Sequence, residues 1–124
     1  MSNHVNRFYS AVSVLAGHGH IKQRLIQAYE DNLAHIDDNT IPITVRESFA
    51  KLSCLMNHVE PLNGEGPICA SVRKMSIDEA DECARKIIDL YGDMLRFDIN
   101  SQVSLPLQME DKSSVVAPIL VKTN

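Results

Sequence analysis

Two cations and two hydroxyls lie close together in the middle of the chain, at Ser71, Arg73, Lys74 and Ser76. They come directly before a segment with the pattern of an amphipathic helix. A helix N-terminus offers unpaired backbone amides and a partial positive charge, so cations beside it favour binding of a phosphate or carboxylate group. The sequence therefore predicts an anion site at these residues. The alternative is that Arg73 and Lys74 only offset the acidic first turn of the same helix.

A second group of residues has the chemistry of metal ligands or of a reactive thiol. Cys54 and His58 lie four residues apart on a predicted helix and therefore share one face, while His18 and His20 flank a glycine in a turn. Thiolate and imidazole bind zinc, nickel and copper, and a cysteine beside a histidine can also form a nucleophile and base. Zinc sites usually contain tighter, repeated ligand pairs. The alternative is therefore that the four are unrelated surface side chains.

Motifs of the common enzyme classes are missing from the sequence. It contains no G-x-S-x-G nucleophile elbow and no phosphate-binding G-x-x-x-x-G-K-S/T loop. The pair Gly64 and Gly66 lacks the third glycine of a dinucleotide site, because Cys69 stands in that position. These observations favour a protein without catalytic activity and without a cofactor.

The composition is that of a small globular domain. The chain has 124 residues, 44% of them hydrophobic and 23% charged, and a formal net charge of −4. Its length fits one domain with its own core, and its mild acidity argues against a general nucleic-acid binder. No apolar run approaches the ~20 residues of a membrane span. Three cysteines without a C-x-x-C pair indicate a reducing compartment, so we expect a cytoplasmic protein that binds neither nucleic acid nor membrane.

Apolar residues recur at spacings of three and four in four segments, which predicts an all-α domain resembling a four-helix bundle. The helices are expected at about 5–16, 21–36, 42–59 and 76–98. Either Pro42 or a Thr44 cap begins the third helix. The fourth helix is the best defined, because Ser76 and Glu79 can form a capping box at its start. Seven acids against three bases also give this helix the net charge of the whole chain.

Two stretches outside these helices are expected to be irregular or extended. Residues 60–75 form a long connection, in which 68–72 suits a short extended piece. Residues 98–124 form an extended, possibly β-like arm after the helical domain of residues 1–97, because apolar and polar residues alternate there and each apolar run contains a proline. The apolar residues of the arm are Val103, Leu105, Leu107, Met109, Val115, Val116, Ile119 and Leu120.

An uncovered apolar arm would be prone to aggregate, so we expect it to dock on its own domain, on a second copy or on another protein. Together with the acid-rich fourth helix, the arm favours a small cytoplasmic interaction, regulatory or adaptor module. Its partner would be another protein, a second copy, or both. The alternative function is that of a binder of, or an enzyme acting on, a small anionic or phosphorylated ligand at residues 64–76.

Overall fold

A computed structural model describes residues 3–62 and 64–110, and this part of the chain is helical apart from its short connections. The helices are α1 (Asn3–Leu15), α2 (Ile21–Asn32), α3 (Ile43–Met56), α4 (Pro67–Lys74) and α5 (Ile77–Glu110), and a 3-10 turn spans Asp38–Thr40. The all-α class expected from the sequence is confirmed. None of the described helices is long and apolar enough to cross a lipid bilayer.

Local sequence signals set the starts of α2 and α5. Gly19 takes a positive φ of 110° before α2, a conformation that glycine adopts without strain. The His20 imidazole then accepts a hydrogen bond from the Lys22 amide at 3.1 Å and caps the helix. At α5, the Ser76 hydroxyl accepts from the Glu79 amide and the Glu79 carboxylate accepts from the Ser76 amide. The predicted capping box is therefore present.

The connection between α3 and α5 contains a helix that the sequence did not predict. Residues 68–72 belong to α4, so the extended piece expected there is wrong. Pro67 stands in the first turn of α4, where its fixed φ suits a helix and its missing amide hydrogen costs nothing. The buried residues of α4 are Ile68, Ala70, Ser71 and Val72. Their burial against α2 and α3 supplies the stability that so short a helix lacks by itself.

Helix α5 is longer than expected, because it continues without a break to Glu110. The extended arm predicted from residue 98 is therefore wrong over 98–110, where the backbone is helical. Four of the predicted arm residues lie on this helical backbone, namely Val103, Leu105, Leu107 and Met109. Lengthening an existing helix adds a hydrogen bond for each residue fixed, which outweighs a weak strand-like alternation. The other four, Val115, Val116, Ile119 and Leu120, lie outside the described residues.

All five helices contribute to one apolar core. The Phe8 ring of α1 meets the Phe49 ring of α3 edge to face, with 5.9 Å between the ring centres. Leu25 of α2 and Ile87 of α5 are also fully buried. Complete burial of side chains of this size stabilises the fold by roughly 1.5–3 kcal/mol each. The core therefore fixes the relative positions of the helices.

Contacts between helix ends show that α3 and α5 run in opposite directions. Thr44, near the start of α3, lines the same surface depression as Phe97 of α5. Leu55, near the end of α3, lines another with Glu79, near the start of α5. The seam between these two helices therefore runs along most of the domain.

Candidate functional site

Three of the four predicted anion-binding residues have structural partners. Ser71 is fully buried, and its hydroxyl accepts a hydrogen bond of 3.1 Å from the Val59 amide. Arg73 donates two hydrogen bonds to the Glu65 carboxylate, at 3.1 and 2.7 Å. This guanidinium lowers the pKa of Glu65. Ser76 caps α5.

Lys74 is the remaining predicted anion ligand, and its side chain is exposed. Within the described part of the chain it has no hydrogen-bond or ion-pair partner. The four residues thus do not converge on one point as unpaired donors. Anion binding at residues 64–76 stays a prediction from the sequence.

The four predicted metal ligands likewise lie in different places and have different contacts. Cys54 is exposed on α3, and the His58 Nδ1 lies 2.8 Å from the Leu55 carbonyl oxygen. His20 caps α2, and His18 is exposed in the preceding turn. No group of three or more histidine, cysteine, aspartate or glutamate side chains could hold a metal ion among the residues that the structure describes.

The fold does bring together one member of each predicted set. Lys74 and His58 line a cleft of about 280 Å³ at the end of the α3–α5 seam. Cys83 of α5 lies in its wall, and burial raises the pKa of this thiol. The un-ionised thiol therefore packs there as a small apolar group. Lys74 and His58 are 16 residues apart in the sequence and line the same cleft only because of the tertiary fold. Their spacing along the sequence therefore did not indicate that they are neighbours.

The cleft is the first of four neighbouring depressions along α3 and α5, each of which shares at least one lining residue with the next; together they are here called the α3–α5 groove. Its central part has a volume of about 450 Å³ and is open to solvent. Ala50, Cys54 and Leu55 form the α3 wall, while Lys51 and Lys86 reach in from the two helices. Further along, the groove passes Leu90 and ends near Phe97. Its residues are Thr44, Val45, Glu47, Ser48, Ala50, Lys51, Cys54, Leu55, His58, Lys74, Met75, Glu79, Glu82, Cys83, Lys86, Asp89, Leu90, Asp93, Arg96, Phe97 and Asn100.

The direction of the α3 side chains explains why the groove is open. The large apolar residues of α3 point into the core, namely Val45, Phe49, Leu52 and Met56. The side that faces the outer edge of α5 carries the small residues Ala50 and Cys54. Small side chains there cannot fill the space between two helices, so the seam keeps a depression.

Two large apolar side chains remain partly exposed along the groove. Leu55 is 38% exposed and Phe97 is 47% exposed. Leu55 lines the central and one terminal part of the groove, and Phe97 lines its other end, so each end of the groove offers one large apolar side chain to solvent. Leu55 lies off the apolar stripe of α3, and this is the one signal in the sequence that pointed to the groove.

Acidic side chains of α5 dominate the rim of the groove. Asp93 is paired with Arg96, whereas Glu82 and Asp89 form no ion pair with any described residue. On α3, Lys51 pairs with Glu47 at 3.7 Å, and both are exposed. The groove is therefore apolar in its central part, and on its α5 side the acids Glu79, Glu82, Asp89 and Asp93 outnumber the bases Lys86 and Arg96.

No model of a known protein family matches this chain. Searches of curated proteins and of solved structures also found no match.

Proposed function

We propose that this protein is an interaction module that binds an amphipathic helix of another protein in the α3–α5 groove. The observation that carries the proposal is the open apolar seam between two antiparallel helices. From Thr44 to Leu55 the groove follows α3 for roughly 16 Å, about three helical turns at 1.5 Å per residue. A helix laid along it would bury side chains spaced at i, i+3 or i+4, and i+7.

The charge of the rim defines the chemistry of the partner. Glu82 and Asp89 flank the apolar central part on α5, and this helix carries the net charge of the chain. A partner helix with lysine or arginine beside its apolar stripe complements this rim. Complementary charges of this kind speed association and exclude wrong partners more than they add affinity.

Lys51 and Lys86 refine the expected partner sequence. They extend from opposite walls into the same part of the groove. Their aliphatic stems can pack on an apolar partner while their ammonium groups stay in water. A single acidic residue at the middle of the partner helix would meet both ammonium groups.

In this proposal α1, α2, α3 and α5 form the four-helix bundle expected from the sequence, with α4 added to it. The antiparallel course of α3 and α5 supports that arrangement. A cytoplasmic site of action is also part of the proposal. It is supported by the three cysteines, Cys54, Cys69 and Cys83, all of which are free thiols.

The test is selection from a displayed library of helical peptides with one apolar stripe and either basic or acidic flanks. The purified full-length chain is the bait, and binding is then measured on the variant Leu55→Lys. Leu62→Lys is the matched control, because Leu62 is also an exposed leucine but does not line the groove. We expect basic-flanked peptides to be enriched, and Leu55→Lys to weaken their binding by about tenfold or more.

Two further measurements make the result decisive. Asp89→Lys should reduce the enrichment of basic-flanked peptides, since it reverses a rim charge that pairs with no described residue. Backbone amide signals of Ala50, Leu55 and Leu90 should shift when a selected peptide is added. A library without enriched peptides, or peptides that bind Leu55→Lys as well as they bind Leu62→Lys, would refute the proposed function.

A further inference from the structure

A second apolar surface lies on the other side of α5, where this helix meets α1. It is called the α1–α5 face and consists of Tyr9, Ile77, Ile88, Tyr91, Leu95 and Ile99. The Tyr9 and Tyr91 rings lie 6.1 Å apart, so residues of both helices form one surface. Tyr9 is 58% exposed, Ile88 48% and Ile99 49%. This face therefore presents large apolar side chains to solvent although α1 already packs beside it.

The face is separate from the α3–α5 groove. Its α5 residues Ile88, Tyr91 and Leu95 recur at spacings of three and four, which places them along one side of the helix. The groove residues Lys86, Leu90 and Asp93 form another such row. Positions 86 and 88 are two residues apart and thus project about 200° from one another. The two surfaces therefore lie on different sides of α5 and adjoin at Asp93 and Arg96, which line the end of the groove and also lie beside Gly92.

Gly92 lies within the α1–α5 face, and the fold of the single chain does not explain it. Glycine is among the least favourable residues inside a helix. A Cβ added at Gly92 would meet only the Arg96 guanidinium, at 3.6 Å, which is the far end of a flexible side chain. The chain itself therefore has room for a side chain here. The missing side chain leaves a notch that allows the backbone of another helix to come close.

The charges around this face suit a second copy of the same chain. In a two-fold dimer both copies use the same surface, so a net charge on that surface would face an equal charge on the other copy. Next to Ile88, Arg85 is neutralised by Asp81 at 2.9 Å, and next to Gly92, Arg96 is neutralised by Asp93.

The exposed residues of α1 near this face are likewise uncharged. Asn6, Ser10 and Ser13 carry no charge. Arg7 lies two positions before Tyr9 and so projects from the other flank of α1. Asp78 and Asp89 also border the α5 part of this face, and Asp89 acts electrostatically on Arg85. The face therefore carries a smaller negative charge than the −4 of the whole chain.

We infer that two copies of this chain associate through the α1–α5 face, with the α5 helices crossing near Gly92. From Ile77 to Ile99, α5 is roughly 33 Å long at 1.5 Å per residue and α1 is roughly 18 Å long, so strips one helix wide on both cover ~500–600 Å², which is close to the lower bound for a stable interface. Stable interfaces bury about 600–1,000 Å² on each partner. Tyr9 and Tyr91 would border the crossing as large, rigid contact residues. The resulting dimer would display two α3–α5 grooves.

The test is the oligomeric state of the full chain, measured by sedimentation equilibrium at concentrations up to ~100 µM, which detects a Kd of that order. Ile88→Lys places a charge on the face, and Ile43→Lys is its matched control, an exposed isoleucine on α3. We expect the wild type and Ile43→Lys to be dimers. Ile88→Lys should be a monomer, because the same charge would meet its copy across the two-fold axis.

Gly92→Leu provides the second, independent variant. Leucine is a good helix former, so the monomer should unfold at the same or a higher temperature. The dimer Kd should nevertheless rise by about tenfold or more, because the notch is filled. A purely structural role for Gly92 predicts no change in Kd. A monomeric wild type, or a dimer that both Ile88→Lys and Gly92→Leu leave intact, would overturn the inference.

Discussion

The two sides of α3 are built differently. On one side, α4 packs against both α2 and α3, and its buried residues join the core. On the other side, α5 packs on α3 and no element of residues 3–62 and 64–110 lies above the seam, so the α3–α5 groove is open in the described part of the chain. The side of α3 that carries α4 is here called the closed side, and the side with the groove is called the open side. The closed side shows that this chain covers a seam between two helices with a short amphipathic helix. A partner helix in the α3–α5 groove would repeat on the open side what α4 does on the closed side.

Polar groups differ in the same way between the two sides. On the closed side, Ser71 binds the Val59 amide and the Lys22 ammonium donates to the Arg73 carbonyl oxygen at 3.2 Å. On the open side, Glu82 and Asp89 make no ion pair with a described residue. The polar groups of the closed side are thus paired within the fold, whereas the open side leaves apolar area and acids without ion pairs at the surface.

The largest difference between the two sides is expected in the loss of stability when an apolar side chain is truncated to alanine. Ile68→Ala removes a buried side chain of α4 and should lower the free energy of unfolding by ~2–4 kcal/mol through the cavity it leaves. Leu55→Ala, in the groove wall, should change it by less than ~0.5–1 kcal/mol. Urea denaturation of both variants measures the difference. Equal losses would mean that the groove is already packed.

A serine pair tests the polar part of the comparison. Ser71→Ala leaves the partly buried Val59 amide without its acceptor and should cost about 1–2 kcal/mol of unfolding free energy. Ser48→Ala, on the exposed groove side of α3, should be neutral or slightly stabilising, because alanine is the better helix former. Thermal unfolding of the two variants is the measurement. A loss of stability in Ser48→Ala would show that the groove rim is not free of structural hydrogen bonds.

The rates at which the three cysteines are alkylated measure how accessible the two sides are to a reagent in solution. Cys54 is exposed in the groove, whereas burial raises the pKa values of the thiols of Cys69 and Cys83. Since the thiolate is the reactive form, iodoacetamide should modify Cys54 about tenfold faster than the other two. Peptide mass mapping over time gives the three rates. A peptide selected for the groove should protect Cys54, and protection of Cys69 instead would place the peptide on the closed side.

The smallest of the predicted effects is a loss of stability at acid pH. Arg73 lowers the pKa of Glu65 in the folded state, so the ionised pair stabilises the fold above the ordinary glutamate pKa of 4.5. That contribution is lost as the pH falls below this value and through the lowered pKa. Exposed pairs contribute little, so a small drop in melting temperature is expected. In Glu65→Gln the part of the fall in melting temperature that comes from this pair should be absent. If the melting temperature of Glu65→Gln falls with acid as much as that of the wild type, the pair is not the cause.

Periodicity was enough to predict the four longer helices, because their core residues recur every three or four positions. It failed at α4, where Gly66 and Pro67 indicate a turn while the helix depends on burial of Ile68 and Val72. It also failed beyond Asp98, where an existing helix propagates through a weakly alternating sequence.

The candidate site was even less accessible to sequence reasoning. Its walls come from two helices that only the fold brings together, and its key residues are unremarkable in type. Ala50 matters because it is small, and Leu55 because it lies beside the apolar stripe rather than on it. Ser71 and Arg73 had the more suggestive chemistry, yet tertiary contacts satisfy both.

Helix α5 is a wall of both surfaces, with the groove on one side and the α1–α5 face on the other. A partner helix that shifts or stiffens α5 therefore changes the energy of bringing two copies together. Thermodynamic linkage makes this reciprocal, so dimerisation must change the affinity for the partner by the same factor. Affinity measured in dilute solution would then differ from affinity at high protein concentration, and the abundance of the chain would itself set how strongly it holds its partner.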